Sequence, residues 1–169
     1  MRYFITFACY GAHLHGEESG SVDRHHNLFG SRLAEANPER AAVKREQMDQ
    51  APYWLDRERR ATVLNALRQV CLRAAYVRTN HVHAVVEADV RPEMVMNTFK
   101  SYASRGLNRV GSDKPNRKRW ARHGSTRWLW KDEDVQEAIR YVSFGSRRTY
   151  GSLPGRLAVA YRSFTVAAQ

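Results

Sequence analysis

The strongest constraint on the fold is a pair of apolar runs separated by only two residues. Residues 73–78 (RAAYVR) and 81–87 (HVHAVVE) are rich in small apolar, aromatic and β-branched side chains, and Thr79 and Asn80 stand between them. A two-residue connection joins neighbouring strands only in an antiparallel hairpin. The chain is therefore expected to contain an antiparallel sheet that its other elements must fit.

The remaining periodic segments predict how that sheet is completed. The aromatic run 2–10 (RYFITFACY) predicts a first strand, and 126–130 predicts an edge strand. Helices are expected over three segments, 57–72 after the N-cap Asp56, 91–108 with Pro92 in its first turn, and Asp132–Phe144 with an acidic first turn. The order strand, helix, strand, strand, helix, strand, helix predicts an α+β, ferredoxin-like fold with helices packed on an antiparallel sheet.

At 169 residues the chain has the size of one domain. We predict this domain over 1–145, with 11–56 as a long insertion after the first strand that carries a short helix over 38–48. Residues 146–169 form a C-terminal tail whose pattern fits a strand and a short helix equally well. No apolar run reaches the length of a membrane span and the first residues do not resemble a signal peptide, so a cytoplasmic protein is expected.

Positive charge is concentrated in the second half of the sequence. Residues 1–90 carry 12 basic and 11 acidic groups, whereas 91–169 carry 16 and 6. Basic side chains neutralise phosphates and indole rings stack on bases, so single-stranded or hairpin nucleic acid is the predicted partner, with a solvated basic surface as the alternative. Predicted phosphate contacts are Lys100, Arg105, Arg109, Arg117, Lys118, Arg119, Arg122 and Arg127; Trp120 and Trp128 are predicted to stack on bases, and Trp130 to lie in the core.

Two histidines occupy alternate positions of the second predicted hairpin strand. The two-residue period of a strand places His81 and His83 on one face and Val82 on the other. Imidazole nitrogens bind Mn, Zn, Ni or Fe, and Mg would need oxygen ligands as well. The same spacing also occurs by chance, as at His13 and His15 in a glycine-rich segment, so ordinary surface histidines are the alternative.

Two helical tyrosines are candidate nucleophiles for a covalent phosphoryl intermediate. Tyr102 falls within the apolar stripe of the helix 91–108, which favours a packing role. Tyr141 lies on the flank of the apolar stripe of Asp132–Phe144, where its hydroxyl can extend from the edge of the core. A tyrosine that only caps the core would show the same pattern.

Residues 76–109 (YVRTNHVHAVVEADVRPEMVMNTFKSYASRGLNR) together with 122–145 (RHGSTRWLWKDEDVQEAIRYVSFG) resemble the IS200-like and REP-associated single-tyrosine transposases, which carry a His-hydrophobe-His (HUH) motif. The resemblance implies metal ligands at His81 and His83 and a catalytic tyrosine at Tyr141. It further implies a divalent cation, Mg or Mn, and cleavage and rejoining of single-stranded DNA near hairpins through a 5′-phosphotyrosine. Family members include monomers and dimers, so a homodimer is an open alternative.

One departure from the family concerns its third metal ligand. That ligand is a Gln or Asn about one turn after the tyrosine, whereas residues 142–146 here are VSFGS. Glu137, one turn before Tyr141, or a water molecule is the expected substitute. The alternatives to a transposase are a hairpin-DNA-binding protein without activity, an RNA-binding ferredoxin-like domain and a small metal-binding protein of another purpose.

Overall fold

A computed structural model describes residues 1–12, 14, 36–70, 72–111, 113–144 and 158–160. Residues 13 and 15–35 of the predicted insertion, which include His13 and His15, and all of the predicted tail except residues 158–160 lie outside the described residues. In the described part, no helix is both long and apolar enough to cross a membrane.

The core of the fold is one antiparallel sheet in the order β4-β1-β3-β2-β5. Its strands are β1 (Arg2–Cys9), β2 (Leu72–Val77), β3 (His81–Glu87), β4 (Trp120–Trp128) and β5 (Ala158–Ala160). The helices are α1 (Pro38–Glu46), α2 (Arg57–Leu67), α3 (Pro92–Val110) and α4 (Asp132–Phe144). The connection β1-α2-β2-β3-α3-β4 with strand order 4-1-3-2 is the predicted ferredoxin-like arrangement, which is confirmed.

The two faces of the sheet are covered by different helices. On one face α2 and α3 enclose the larger core, in which Ile5, Val82 and Phe99 are fully buried. On the opposite face α4 packs through Val135 and Val142 against a smaller cluster. Because side chains alternate along β3, burial of Val82 under α2 and α3 directs His81 and His83 to the α4 face.

The structure moves two predicted boundaries substantially and the others by at most two residues. The helix predicted over 57–72 ends at Leu67, because Leu72 already pairs with Val86 in the sheet. The edge strand predicted over 126–130 begins at Trp120, which pairs with Cys9 across a bulge. Charged residues at an edge strand face solvent and hide the alternation that a sequence pattern needs, which explains the error in β4.

The predicted N-cap of α2 is confirmed. The Asp56 side chain accepts a hydrogen bond from the backbone N–H of Arg59, as an N-cap does. Helix α3 ends at Gly111, whose positive φ of 74° is the left-handed conformation that closes a helix. The three residues of β5 pair with β2, so part of the predicted tail completes the second edge of the sheet.

Candidate active site

The histidine pair lies at the centre of the sheet, since β3 is flanked by β1 and β2. His83 is opposite Thr6 of β1 and opposite Tyr76 of β2. Both imidazoles are partly buried on the α4 face. A central strand cannot shift its register without moving the whole buried core, so the direction of both rings is fixed by the fold.

The two imidazole rings converge through their Nε2 atoms, which lie 3.1 Å apart. Each Nδ1 is held by another side chain: His83 Nδ1 lies 2.8 Å from Thr6 Oγ1, and His81 Nδ1 lies 2.7 Å from Asn80 Oδ1. An imidazole held at Nδ1 presents Nε2 in a fixed direction, which is the usual arrangement around a metal-binding histidine.

The donor set fits a divalent metal ion. An ion about 2.1 Å from each imidazole nitrogen would hold two adjacent nitrogens about 3.0 Å apart when the angle between them is near 90°, and the observed separation of 3.1 Å agrees with this. Among the described residues no group of three or more His, Cys, Asp and Glu side chains is close enough to bind one ion. Glu137 is exposed on α4 and does not complete such a group, and its role as a ligand stays a prediction.

Tyr141 lies beside this pair. Helix α4 buries Val135, Ala138 and Val142, and Tyr141 is on the flank of that stripe with 44% of its surface exposed. Its ring lies edge-on to the imidazole of His83, with the ring centroids 5.5 Å apart. The structure thus brings together the three residues that the sequence pattern selected from two distant segments.

Three residues of the site were not anticipated. Phe4 stacks on His83 with ring centroids 5.6 Å apart and also meets the Tyr141 ring edge-on at 6.0 Å. Thr6 and Asn80 hold the histidine rings. Asn80 precedes His81 directly and could have been suspected from sequence, whereas Phe4 and Thr6 are identified only by the register of β1 against β3.

Three residues that were predicted to contact phosphate form contacts with other groups of the protein. Arg117 donates hydrogen bonds to Gln50 Oε1 and to two backbone carbonyls of the same segment, and Lys118 pairs with Asp49. Arg119 is only 9% exposed and pairs with Asp113. These contacts tie the basic loop to the end of the insertion, and the burial of Arg119 argues against the predicted phosphate contact.

Lys100 is also engaged by the protein itself. Its ammonium group donates to the carbonyl oxygens of Ala121, Arg122 and His123 at 2.9, 3.4 and 3.3 Å. Burial lowers the pKa of Lys100 below its ordinary value. These contacts give the lysine a structural role at the bulged start of β4 and occupy its ammonium group, which argues against the predicted phosphate contact.

The other predicted basic residues divide between two surfaces. Arg127 on β4 is opposite Phe4, with its guanidinium 4.0 Å from the carboxylate of Asp134. Arg122 is exposed on the same edge strand. Arg105 and Arg109 are exposed on α3, which covers the other face of the sheet.

The tryptophans differ from the prediction in part. Trp120 is half-buried, with its indole N–H directed to Lys100 O and Ser104 Oγ, so it packs against α3. Trp128 is 37% exposed and stacks on Trp130, with ring centroids 5.0 Å apart and planes 8° from parallel. The expectation that Trp130 lies in the core is wrong, since it is 73% exposed.

Comparisons of this chain with known proteins give one similar solved structure and no match to a family model or a curated protein. Among solved structures it is similar to one described as a REP-associated tyrosine transposase bound to a REP hairpin, with 12% identity and a TM-score of 0.42. The match covers 85% of this chain and 64% of that chain. At this level of similarity the family resemblance stays a prediction.

Proposed function

We propose that the chain is a metal-dependent single-stranded DNA endonuclease and strand transferase that acts at hairpin-associated sites with Tyr141 as its nucleophile. The observation that carries the proposal is the convergence of two Nε2 atoms, 3.1 Å apart, beside an exposed tyrosine. The excess of basic residues in the second half of the sequence supports a polyanionic substrate.

In the proposed reaction Tyr141 Oη attacks the scissile phosphorus. A bond forms between Oη and phosphorus while the bond from phosphorus to the 3′ oxygen breaks. The tyrosine loses its hydroxyl proton and the leaving 3′ oxygen gains one, so the products are a 5′-phosphotyrosine and a free 3′-hydroxyl. The ester retains the energy of the broken bond, and attack by another 3′-hydroxyl rejoins the strand.

His81 and His83 would hold the cation, and Thr6 and Asn80 fix the orientation of their rings. When bound, Mg²⁺ or Mn²⁺ supplies Lewis-acid stabilisation of charge on the non-bridging phosphate oxygens. Phe4 packs against the rings of both His83 and Tyr141 and so limits their relative movement. A nucleophile and an electrophilic centre held in one geometry gain rate from orientation alone.

The arrangement lies within one chain. Tyr141 contacts His83 of its own chain, so the proposed site has its nucleophile and both histidine ligands without a second copy. This contact supports the monomeric form of the reaction over a homodimer that exchanges its tyrosine helices.

A gel assay for a covalent protein–DNA adduct tests the proposal. Labelled single strands that contain hairpins from the DNA flanking the gene are incubated with Mn²⁺ or Mg²⁺. Wild type is expected to form an adduct that disappears in Tyr141→Phe and His83→Ala and survives in Tyr102→Phe, the matched tyrosine of α3. Binding without an adduct across both metals would overturn the enzymatic proposal in favour of a DNA-binding protein without activity.

A further inference from the structure

A second polar site lies on the face of the sheet opposite to the histidines. A cavity of about 260 Å³ opens between α2 and α3. Its lining combines two guanidinium groups, two amides, two hydroxyl groups and two small residues: Arg105, Arg109, Asn65, Gln69, Thr62, Tyr102, Ala66 and Gly106. No acidic side chain belongs to this lining, which gives the cleft a positive character.

Helices α2 and α3 approach closely at Gly106, which lines the cleft. A Cβ atom added at Gly106 would lie 3.1 Å from Thr62 Cγ2, so only glycine gives this spacing without displacement. Both helices contribute polar side chains to the lining of the cleft around that contact. Arg105 and Arg109 are four residues apart on α3, and Asn65 and Gln69 are four residues apart on α2, so each pair forms one row on its helix.

Several of these groups are held in place before any ligand binds. The guanidinium of Arg105 lies over the Tyr102 ring, 4.9 Å from its centroid, and donates to Ser101 Oγ at 3.0 Å. Asn65 Oδ1 accepts a hydrogen bond from Arg68 Nη1 at 3.0 Å, which leaves the amide N–H groups as the available end of Asn65. Within the described part of the chain no carboxylate pairs with Arg105 or Arg109. Hydrogen-bond donors that are already positioned, and that are not paired with a carboxylate of the protein, favour the binding of an anionic ligand.

We propose that this cleft binds a phosphodiester group of the DNA strand at a position remote from the cleaved phosphate. Guanidinium groups bind phosphate oxygens in a bidentate manner, and amide N–H donors complete such sites. The Thr62 hydroxyl donates to the Glu58 carbonyl at 3.0 Å and is not counted among these donors. The cavity is smaller than the roughly 300–1,000 Å³ that encloses a drug-sized ligand, which suits a single phosphate group with part of its sugar. The proposal rests on the proposed function for the identity of the polymer.

The experiment measures the affinity of a series of labelled single strands that extend progressively to either side of the cleavage site. Arg105→Gln and Arg109→Gln are each expected to weaken binding of the longer strands about tenfold at low salt and to leave binding of the shortest strand unaffected. Each is also expected to reduce by about one the salt slope, which is the slope of log affinity for DNA against log salt concentration. Lys114→Gln removes one exposed positive charge outside the cleft and is expected to change affinity less than twofold. Thermal unfolding checks that each variant is folded.

Three outcomes would contradict the proposed cleft. One is an equal loss in all three variants, which would indicate general charge. Another is unchanged affinity of the longer strands in both cleft variants. The third is stabilisation of wild type, but not of Arg105→Gln, by inorganic phosphate at concentrations that leave the affinity for the longer strands unchanged, which would make the cleft a site for the free ion. Adduct formation is a separate readout, because binding of the longer strands is measured even if Tyr141 never reacts.

Discussion

The Tyr141 ring lies edge-on to the imidazole of His83 in the same chain, with ring centroids 5.5 Å apart. A reaction in which the tyrosine serves a partner's site would require α4 to leave this position, where Val135 and Val142 are buried. A mixture of Tyr141→Phe with a size-tagged His83→Ala protein is therefore expected to give no adduct. Denaturing gels of the mixture and of each variant alone measure this.

The mixture distinguishes the two arrangements because each variant keeps the residue that the other lacks. If the tyrosine acted in the partner's site, one composite site would be intact and the tagged His83→Ala protein would carry the DNA. Such an adduct would contradict the arrangement within one chain.

Thr6 and Asn80 hold the Nδ1 atoms of the histidine pair, so their removal is expected to weaken metal binding. Loss of an outer partner of a metal-binding histidine costs about tenfold or more in affinity. Thr6→Val and Asn80→Ala are therefore expected to reduce Mn²⁺ affinity by about tenfold in titration calorimetry. Ser125→Ala, opposite Thr6 on β4 and exposed, is the matched control and is expected to bind as wild type does.

Lys100 is expected to contribute more to stability than to DNA affinity, because its ammonium group donates to three carbonyl oxygens at the start of β4. Lys100→Met leaves those carbonyls without this donor and is expected to lower the free energy of unfolding by about 1–3 kcal/mol. Its salt slope for DNA should stay that of wild type, whereas Arg122→Gln should reduce the slope by about one. A reduced slope with unchanged stability in Lys100→Met would contradict the structural role.

The sequence was sufficient to predict the fold because local signals agreed with one another. The two-residue turn at Thr79 and Asn80 dictated the hairpin, and Asp56 marked the start of α2. The alternation in β3 and the stripe of α4 made His83 and Tyr141 candidates, and the family resemblance implied their roles. The structure places the two residues side by side. Both of these residues carry their signal within a few neighbouring positions.

The errors arose where contacts between distant segments decide the role of a residue. Arg117 was predicted to contact phosphate because the loop is basic, and its hydrogen bond to Gln50 is revealed only by the packing of the insertion on that loop. Trp130 looked like a core residue because tryptophan is apolar, although the chain leaves the sheet there and the exposed ring stacks on Trp128.

The exposed indole of Trp130 is expected to act in DNA binding, since stacking of a base on an aromatic ring contributes about 1–3 kcal/mol. Trp130 already stacks on Trp128 and is 73% exposed, so its ring is available for a base. Trp130→Ala is expected to weaken the binding of single-stranded DNA by about fivefold or more, as measured by fluorescence anisotropy. Trp54 is another exposed tryptophan, at 55%, and Trp54→Ala is expected to have little effect. An equal loss of DNA affinity in the two variants would contradict a local stacking site.

Asp113 is the centre of a buried network that joins the insertion to the basic loop. Its carboxylate accepts hydrogen bonds from Tyr53 Oη and Arg119 Nε, both at 2.7 Å, and from Arg59 Nη2 at 3.1 Å. Burial alone would raise the pKa of Asp113, but the hydrogen bonds from Tyr53 and Arg119 and the nearby positive charges outweigh it and lower the pKa. The folded state therefore favours the charged carboxylate.

Stability from a carboxylate with a lowered pKa is fully present above the pKa of the unfolded chain, about 3.9, and is lost as the pH falls through the folded value. Asp113→Asn is expected to lower the free energy of unfolding by about 3 kcal/mol at pH 7, because it leaves buried Arg119 without its counter-charge. The difference from wild type should narrow below about pH 4. Urea unfolding at both pH values measures the free energy of unfolding of each variant. Asp132→Asn, at an exposed carboxylate, is the control and is expected to lower that free energy by under about 1 kcal/mol. A difference between wild type and Asp113→Asn that stays constant with pH would contradict the role of the charge.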